Sequence, residues 1–243
     1  MNNVDKDKKI NPHKDHRSRL RARFQKESLR SFSDHNILEL LLFYAIPQKD
    51  TNELAHALLD RFGSLAAVFD AEMGDLMKVK GIGENAATLI KMIPQLSRAY
   101  LMDKETRYPD FTDLRKLGTY LVNYYIGEKN EKLVAVLLNN RCEMIDIILV
   151  KEGIVNQTEV SMRKVAEAAF SKNAAFFVLA HNHPDGNCQP SAQDISVTST
   201  YSKTFRELGL PLVEHIVVGG VSYTGIMTGQ KSGKLKDICD FDY

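Results

Sequence analysis

Long apolar runs are missing from this chain of 243 residues. No segment offers eighteen uncharged apolar residues in succession, which excludes a membrane-spanning helix. The opening stretch from Met1 to Asp15 is polar and charged, without the apolar centre of a secretory signal. Cysteine is scarce. Cys142, Cys188 and Cys239 are odd in number, widely spaced and free of any C-x-x-C pair, a usage that excludes a disulfide scaffold and predicts a reducing compartment. A cytoplasmic protein with no membrane partner is expected. An excess of charge of one sign is also absent: 32 Lys and Arg stand against 31 Asp and Glu, a net charge of +1. No global attraction to nucleic acid is therefore built in, and any such binding needs a local patch. One patch lies early, where Arg17, Arg19, Arg21, Arg23, Lys26 and Arg30 face a single Glu27. It is either a solvated helix face or a phosphate-binding surface.

Hydrophobic residues make up 44% of the chain, enough to bury the core of one large or two small domains. Residues 1–15 have almost nothing to bury and are expected to be a disordered arm. Helical signals dominate residues 16–102. Ser33 is placed to cap an apolar helix through Ile37, Leu38, Leu41 and Leu42, stopped near Pro47, and Thr51 to cap the next. In that second segment Leu54, Leu58, Leu59 and Phe62 fall at helical spacing, with Gly63 as left-handed C-cap. Gly81-Ile82-Gly83 then makes a tight turn into a long helix carrying Ile90 and Ile93, and Pro94 predicts a kink or an early stop there. Residues 103–110, charged and carrying Pro109, are taken as a linker.

The pattern changes in residues 111–230. A helix over Leu117 to Tyr125 precedes two apolar strands, Leu133 to Leu138 and Met144 to Val150, joined by turn chemistry at Asn139-Asn140-Arg141. Met162, Val165, Ala166, Ala169 and Phe170 share one helix face. A buried strand over Ala174 to Ala180 follows, then a helix with Ile195, Tyr201, Phe205 and Leu208. A last hairpin turns around Gly219-Gly220. Interleaved helices and strands predict a mixed sheet with helices packed on it. Residues 231–243 form a polar tail.

The densest chemistry lies where that buried strand ends. His181 and His183 are one residue apart, and on a strand such side chains point to the same face, so both imidazoles can reach one ion. Pro184, Asp185 and Gly186 break the strand, and Pro190-Ser191 reads as a helix start that returns Asp194 as a third ligand. Two nitrogens and a carboxylate oxygen suit zinc with a fourth position open. A plainer alternative is that Ser191-x-x-Asp194 is only a capping box. Cys188 lies in the same loop but off the ligand spacing, as a free thiol. A lone histidine such as His215 in an apolar strand is expected to be a core residue.

His-x-His, seven residues, Ser, two residues, Asp resembles the signature of the JAMM (MPN-type) metallopeptidases. His-Asn-His-Pro, a Gly two residues on, then Pro-Ser-x-x-Asp is similar, more closely, to the RadC family of bacterial proteins, and this likeness runs from about Arg17 to Gly229. It implies an α+β architecture: an all-helical helix-hairpin-helix domain, then an α/β JAMM domain, a cytidine-deaminase-like mixed sheet flanked by helices. It also implies one zinc per chain on His181, His183 and Asp194, with Ser191 as oxyanion donor. The base implied is a glutamate at the start of the strand that opens the catalytic hairpin, which points to Glu131, with Glu128 as runner-up and Glu152 or Glu159 more distant. In helix-hairpin-helix domains the Gly-x-Gly turn presents backbone N–H groups to a DNA phosphate. Here that places Lys80, Gly81 and Gly83 at such a contact, with Lys78 and Lys91 nearby, unless the hairpin is only a packing turn.

Four positions depart from the family. Asp185 stands where relatives carry Ser, Met162 and Lys164 replace Pro and Glu on either side of Arg163, and Asn139 replaces an Asp. The function expected is zinc-dependent hydrolysis of a peptide or isopeptide amide. The alternative is a DNA-associated repair or recombination factor acting through the helical domain, including nuclease action with the same zinc. A metal-free interaction module is a third class, against which the complete ligand set argues.

Overall fold

The structure is a computed structural model that describes residues 12–47, 49–104, 111–153 and 158–228. Residues 1–11 of the expected arm, most of the expected linker and the expected tail lie outside the described residues. Two compact units divide between Gln95 and Leu96. Among the described residues no helix is long and apolar enough to cross a membrane.

Six helices come first: α1 (Pro12–Glu27), α2 (Asp34–Ala45), α3 (Asn52–Phe62), α4 (Leu65–Asp70), α5 (Met73–Met77) and α6 (Glu84–Lys104), the last continuing past the division. α1 begins at Pro12, inside the segment expected to be an arm. Leu38 and Leu42 of α2, Ala55 and Leu58 of α3, Val68, Leu76, Ile82 and Ile90 form the core of this unit. Leu38, Leu42, Leu58 and Ile90 are among the helical-spacing positions that sequence periodicity singles out, and Leu41, Leu54, Leu59 and Phe62 pack partly buried against them. Gly63 ends α3 at φ +88°, the left-handed cap expected of it.

Three local expectations are corrected. Ser33 and Thr51 occupy the N-cap positions of α2 and α3, but neither side chain caps its helix. The Ser33 hydroxyl donates to Asn36 Oδ1, while Thr51 is buried and donates to the Glu39 carbonyl at 3.2 Å, tying α3 to α2. Pro94 does not stop α6, which runs ten residues beyond it. A missing N–H costs one hydrogen bond, and a long helix can absorb that loss.

The early basic patch is partly structural. Arg17 donates to the Ile46 and Pro47 carbonyls at 2.7 and 2.6 Å and lies over the Phe43 ring, closing the C-terminus of α2. Arg23 covers Phe32. Arg19, Arg21, Lys26 and Arg30 remain exposed.

The second unit contains α7 (Leu114–Tyr124), β1 (Lys132–Leu138), β2 (Met144–Glu152), α8 (Thr158–Ser171), β3 (Phe176–His183), α9 (Ala192–Glu207), β4 (Leu212–Gly219) and β5 (Ser222–Gly225). The sheet order is β2-β1-β3-β4-β5, with β3 and β4 parallel and the other pairs antiparallel. This is the mixed sheet expected from the interleaved pattern, in an α+β chain.

Strand alternation divides the buried residues between two faces. Val134, Val136, Val178 and Ala180 pack with Leu114, Leu117 and Leu121 of α7. Ala135, Leu137, Phe177 and Leu179 pack with Val165 and Ala169 of α8 and Tyr201 and Phe205 of α9. Burying an aromatic ring such as Phe177 contributes roughly 1.5–3 kcal/mol through its apolar area. This alternation also sets the site, because His181 and His183 continue the Phe177, Leu179 series onto the face that carries α9. One irregularity matters. β4 pairs Leu212 with Phe177 but Glu214 with Val178, skipping Val213, and this bulge leaves His215 opposite Leu179 on the α9 side.

Candidate metal centre

β3 extends three residues beyond the expected end at Ala180, so both histidines belong to the strand itself. The chain then turns at Gly186, φ +83°, and folds back over the end of β4. A Cβ on Gly219 would lie 2.5 Å from the backbone of both Asn187 and Cys188. Glycine there lets the loop lie close, which holds the Asn187 carbonyl 2.8 Å from His183 Nδ1. A carbonyl can only accept, so Nδ1 carries the hydrogen and Nε2 keeps its lone pair.

α9 opens with Ser191 as N-cap and Asp194 as its partner, a complete capping box. The capping and ligand roles coexist because a carboxylate has two oxygens. Asp194 Oδ2 accepts from the Ser191 N–H and hydroxyl, each at 2.7 Å, and Oδ1 lies 3.3 Å from His181 Nε2. Burial works to raise the Asp194 pKa, but the adjoining His181 ring and the hydrogen bonds from Ser191 outweigh it and hold the carboxyl well below the usual carboxylate range.

Among the described residues, His181, His183 and Asp194 are the group of three or more ligand-type side chains brought together. His181 Nε2 and His183 Nε2 are 3.0 Å apart, and His183 Nε2 is 3.5 Å from Asp194 Oδ2. Donors on a tetrahedral zinc with bonds of about 2.0–2.1 Å are separated by about 3.3 Å; one donor atom from each of the three residues lies within 4.8 Å of the others, close enough to share one ion. The donor set also leaves a fourth position.

Behind the ligands is a partner that sequence reasoning assigned to the core. His181 Nδ1 lies 2.9 Å from His215 Nε2, and His215 Nδ1 lies 2.6 Å from Thr198 Oγ1. Burial, with smaller contributions from the neighbouring imidazoles, pushes the His215 pKa down to about 3. It is therefore neutral at physiological pH, with one N–H to give.

The register bears on the glutamate expected as base. β1 pairs Leu133 with His181. Glu131 is exposed and lies one residue before β1, where continuing the register would set it opposite His183. Asn182, the middle residue of the motif, was not singled out by sequence. It is 4% exposed, and its amide spans the start of β1: Oδ1 accepts from Lys132 N at 2.9 Å and Nδ2 donates to Asn130 O at 3.1 Å. The backbone on both sides of Glu131 is thereby held. Gly153 N also donates to the Glu131 carbonyl at 2.9 Å.

The alternatives are occupied elsewhere. Glu128 pairs with Arg98 and, at 2.6 Å, with Lys132. Burial opposes ionisation of its carboxyl, but those two cations lower its pKa overall, which suits an anchored anion and not a base. Glu152 lies 3.4 Å from the same Lys132. The Glu159 side chain lies outside the described residues. Cys188 accepts a 3.4 Å hydrogen bond from Thr224 and is not in the ligand group.

The family departures are placed as follows. Asp185 is exposed and accepts from Asn187 N at 2.9 Å, shaping the loop. Met162 packs into the α9-side core, Arg163 pairs with Glu167, and Lys164 is exposed. Asn139 Oδ1 accepts from the Arg141 and Glu143 N–H groups, closing the β1–β2 turn. In the helical unit, Gly81 has φ +102° and its Cβ would lie 2.7 Å from Leu54 Cδ2, so it serves packing. A Cβ on Gly83 would meet nothing within 4 Å. Lys80 is exposed, whereas Lys78 pairs with Asp75 and Lys91 donates to the Phe69 carbonyl.

Comparison with known proteins agrees with this geometry. Residues 111–231 match the RadC-like JAB domain family and residues 13–88 the UPF0758 N-terminal family. A UPF0758 protein of Fusobacterium nucleatum is 35% identical over 86% of this chain and 93% of its own length. Relatives of the same name from Ruegeria pomeroyi and Cupriavidus pinatubonensis are 32% and 31% identical, over 85% and 90% of this chain and 92% and 94% of theirs. The metal-type cluster thus lies inside the matched JAB region, and the chain belongs to the UPF0758 family of RadC-like proteins.

Proposed function

We propose that this protein is a zinc-dependent hydrolase of the JAMM type that cleaves a peptide or isopeptide amide. The observation that carries the reading is the convergence of His181, His183 and Asp194, whose donor atoms lie within 4.8 Å of one another, with Glu131 just before the strand that pairs with β3. Zinc held there would supply Lewis acidity and lower the pKa of a bound water towards 7. Glu131 would take the proton of the attacking water and deliver it to the leaving amine as the C–N bond breaks. The Ser191 hydroxyl is the nearest candidate oxyanion donor. Its hydrogen now rests on Asp194, so it must rotate towards substrate to serve. A cleft of about 520 Å³ runs along α9 from Ile195, the residue after Asp194, past Ser202, Lys203 and Arg206 to Met227. Its lining mixes apolar groups with Lys203, Arg206 and Glu207, which suits an extended polypeptide of mixed polarity.

The test is cleavage of a panel of peptide- and isopeptide-linked substrates. Zinc-loaded protein is expected to cleave, to stop when a chelator is added and to recover with zinc. Zinc should measure about one per chain, be lost in His181→Ala and be kept in Cys188→Ser. A zinc-loaded chain that cleaves no amide in the panel, or a chain that holds no zinc, overturns the proposal.

A second reading, DNA association through the helical unit, is supported by the open space at Gly83 beside exposed Lys80 and the N-terminus of α6. Glu84 in the first turn works against it. If DNA binds there, affinity for duplex or branched DNA should fall steeply with salt and with Gly83→Glu. No shift at low salt in a binding assay removes this reading.

A further inference from the structure

We infer that Thr198 and His215 are positioning residues for the metal centre, presetting the His181 ring so that its Nε2 lone pair faces the ion; this rests on the zinc reading above. The hydrogens of the chain can be assigned in order. Thr198 Oγ1 lies 2.6 Å from the Asp194 carbonyl, four residues earlier in α9, and donates to it. A hydroxyl has one hydrogen, so the same oxygen can only accept from His215 Nδ1, 2.6 Å away. A neutral His215 protonated at Nδ1 has a bare Nε2, which accepts from His181 Nδ1 at 2.9 Å. His181 Nε2 is then left without a hydrogen, 3.0 Å from the equally bare Nε2 of His183.

The closure of this chain gives it a further use. It starts on the backbone of Asp194 and ends on His181, and both residues are ligands. With an ion bound, Asp194, Thr198, His215 and His181 complete a ring that joins α9, β4 and β3. Orientation of the imidazole and placement of the first turn of α9 are therefore set together. All three inner members are buried: Thr198 is 4%, His215 1% and His181 2% exposed. Water has little access to substitute for a lost partner. Outer groups that hold a ligand histidine in one tautomer typically change metal affinity by about 10–100-fold. The bulge that skips Val213 acquires a role here, since without it His215 would face α7.

The experiment uses the full chain and has two readouts. Ring-nitrogen chemical shifts of metal-free, ¹⁵N-labelled protein report which nitrogen of each histidine carries hydrogen. Wild type is expected to show His181 and His215 both protonated at Nδ1, and Thr198→Val to lose that pattern. Zinc affinity, measured by competition with a chelating dye, is expected to fall about 10–100-fold in Thr198→Val and His215→Phe. Thr198→Ser, which keeps the hydroxyl, should restore both readouts, whereas a role confined to packing would leave Ser no better than Val. Wild-type His181 protonated at Nε2, or zinc affinity unchanged in both Thr198→Val and His215→Phe, overturns the inference. If wild type binds no supplied zinc, the hydrolase reading fails, while the nitrogen shifts still decide the tautomers.

Discussion

Glu131→Gln is expected to leave zinc in place and to lower kcat on a cleaved amide by about 10²–10⁴-fold, the usual contribution of a positioned general base. Gln matches Glu in shape and keeps a hydrogen-bonding oxygen, but it cannot take a proton at neutral pH. Zinc should stay because Glu131 is not in the ligand group. Among the described residues, neither Glu128, held between Arg98 and Lys132, nor Glu152, which reaches the same lysine, is placed to substitute. Glu128→Gln is the control: it should affect stability through the lost ion pairs and leave kcat within a few-fold of wild type. Equal turnover in Glu131→Gln and wild type would show that another group manages the proton. Asn182 makes the effect sensitive to geometry, because its amide holds Asn130 O and Lys132 N on either side of the base. A misplacement of about 1 Å in a catalytic group can cost about 10²-fold.

What sequence could and could not reveal follows the range of each interaction. The clustering of His181, His183 and Asp194 was readable because His-x-His is a strand periodicity and Ser-x-x-Asp a helix start, patterns each written within four residues. The apolar runs that became β1 and β3 were readable as strands for the same reason. Glu131 and Glu128 could not be separated by position, because strand starts are uncertain by a few residues. The pairing that bears on the choice, Leu133 with His181, joins residues 48 apart. His215 was readable as buried but not as His181's partner, a contact across 34 residues that depends on a one-residue bulge. Asn182 looked like a spacer between two ligands. Its partners lie 50 and 52 residues away. The misjudged caps have a related cause: Ser33 and Thr51 have the right residue type at the right place, but with their hydroxyls turned to donate to Asn36 and Glu39 neither oxygen accepts from a helix N–H. In the helical unit, Gly81 and Gly83 form a symmetrical pattern in sequence, and the left-handed φ and packing against Leu54 at Gly81 distinguish them.

Asp194→Asn should separate the two roles that the sequence presented as alternatives. The Asn side chain retains an oxygen for the Ser191 N–H, so the start of α9 stays capped and metal-free stability should remain near wild type. It loses the negative charge that neutralises the ion and a strong donor atom. Zinc affinity should therefore fall by more than the roughly 10–100-fold expected of an outer partner such as Thr198. Asp194→Ala removes both roles and should add a loss of about 1 kcal/mol of stability from the broken cap. Ser191→Ala should do the reverse, with the same order of stability loss from the missing acceptor for Asp194 N and zinc retained. Elemental zinc content and thermal unfolding of the metal-free variants measure the two effects independently. If Asp194→Asn kept one zinc per chain at wild-type affinity, Asp194 would be a cap alone and the ion would need another third ligand. Asp185 would be the first residue to examine, as the carboxylate in the same loop where relatives carry serine. Its side chain now accepts from Asn187 N, and it would have to give up that bond to reach the ion.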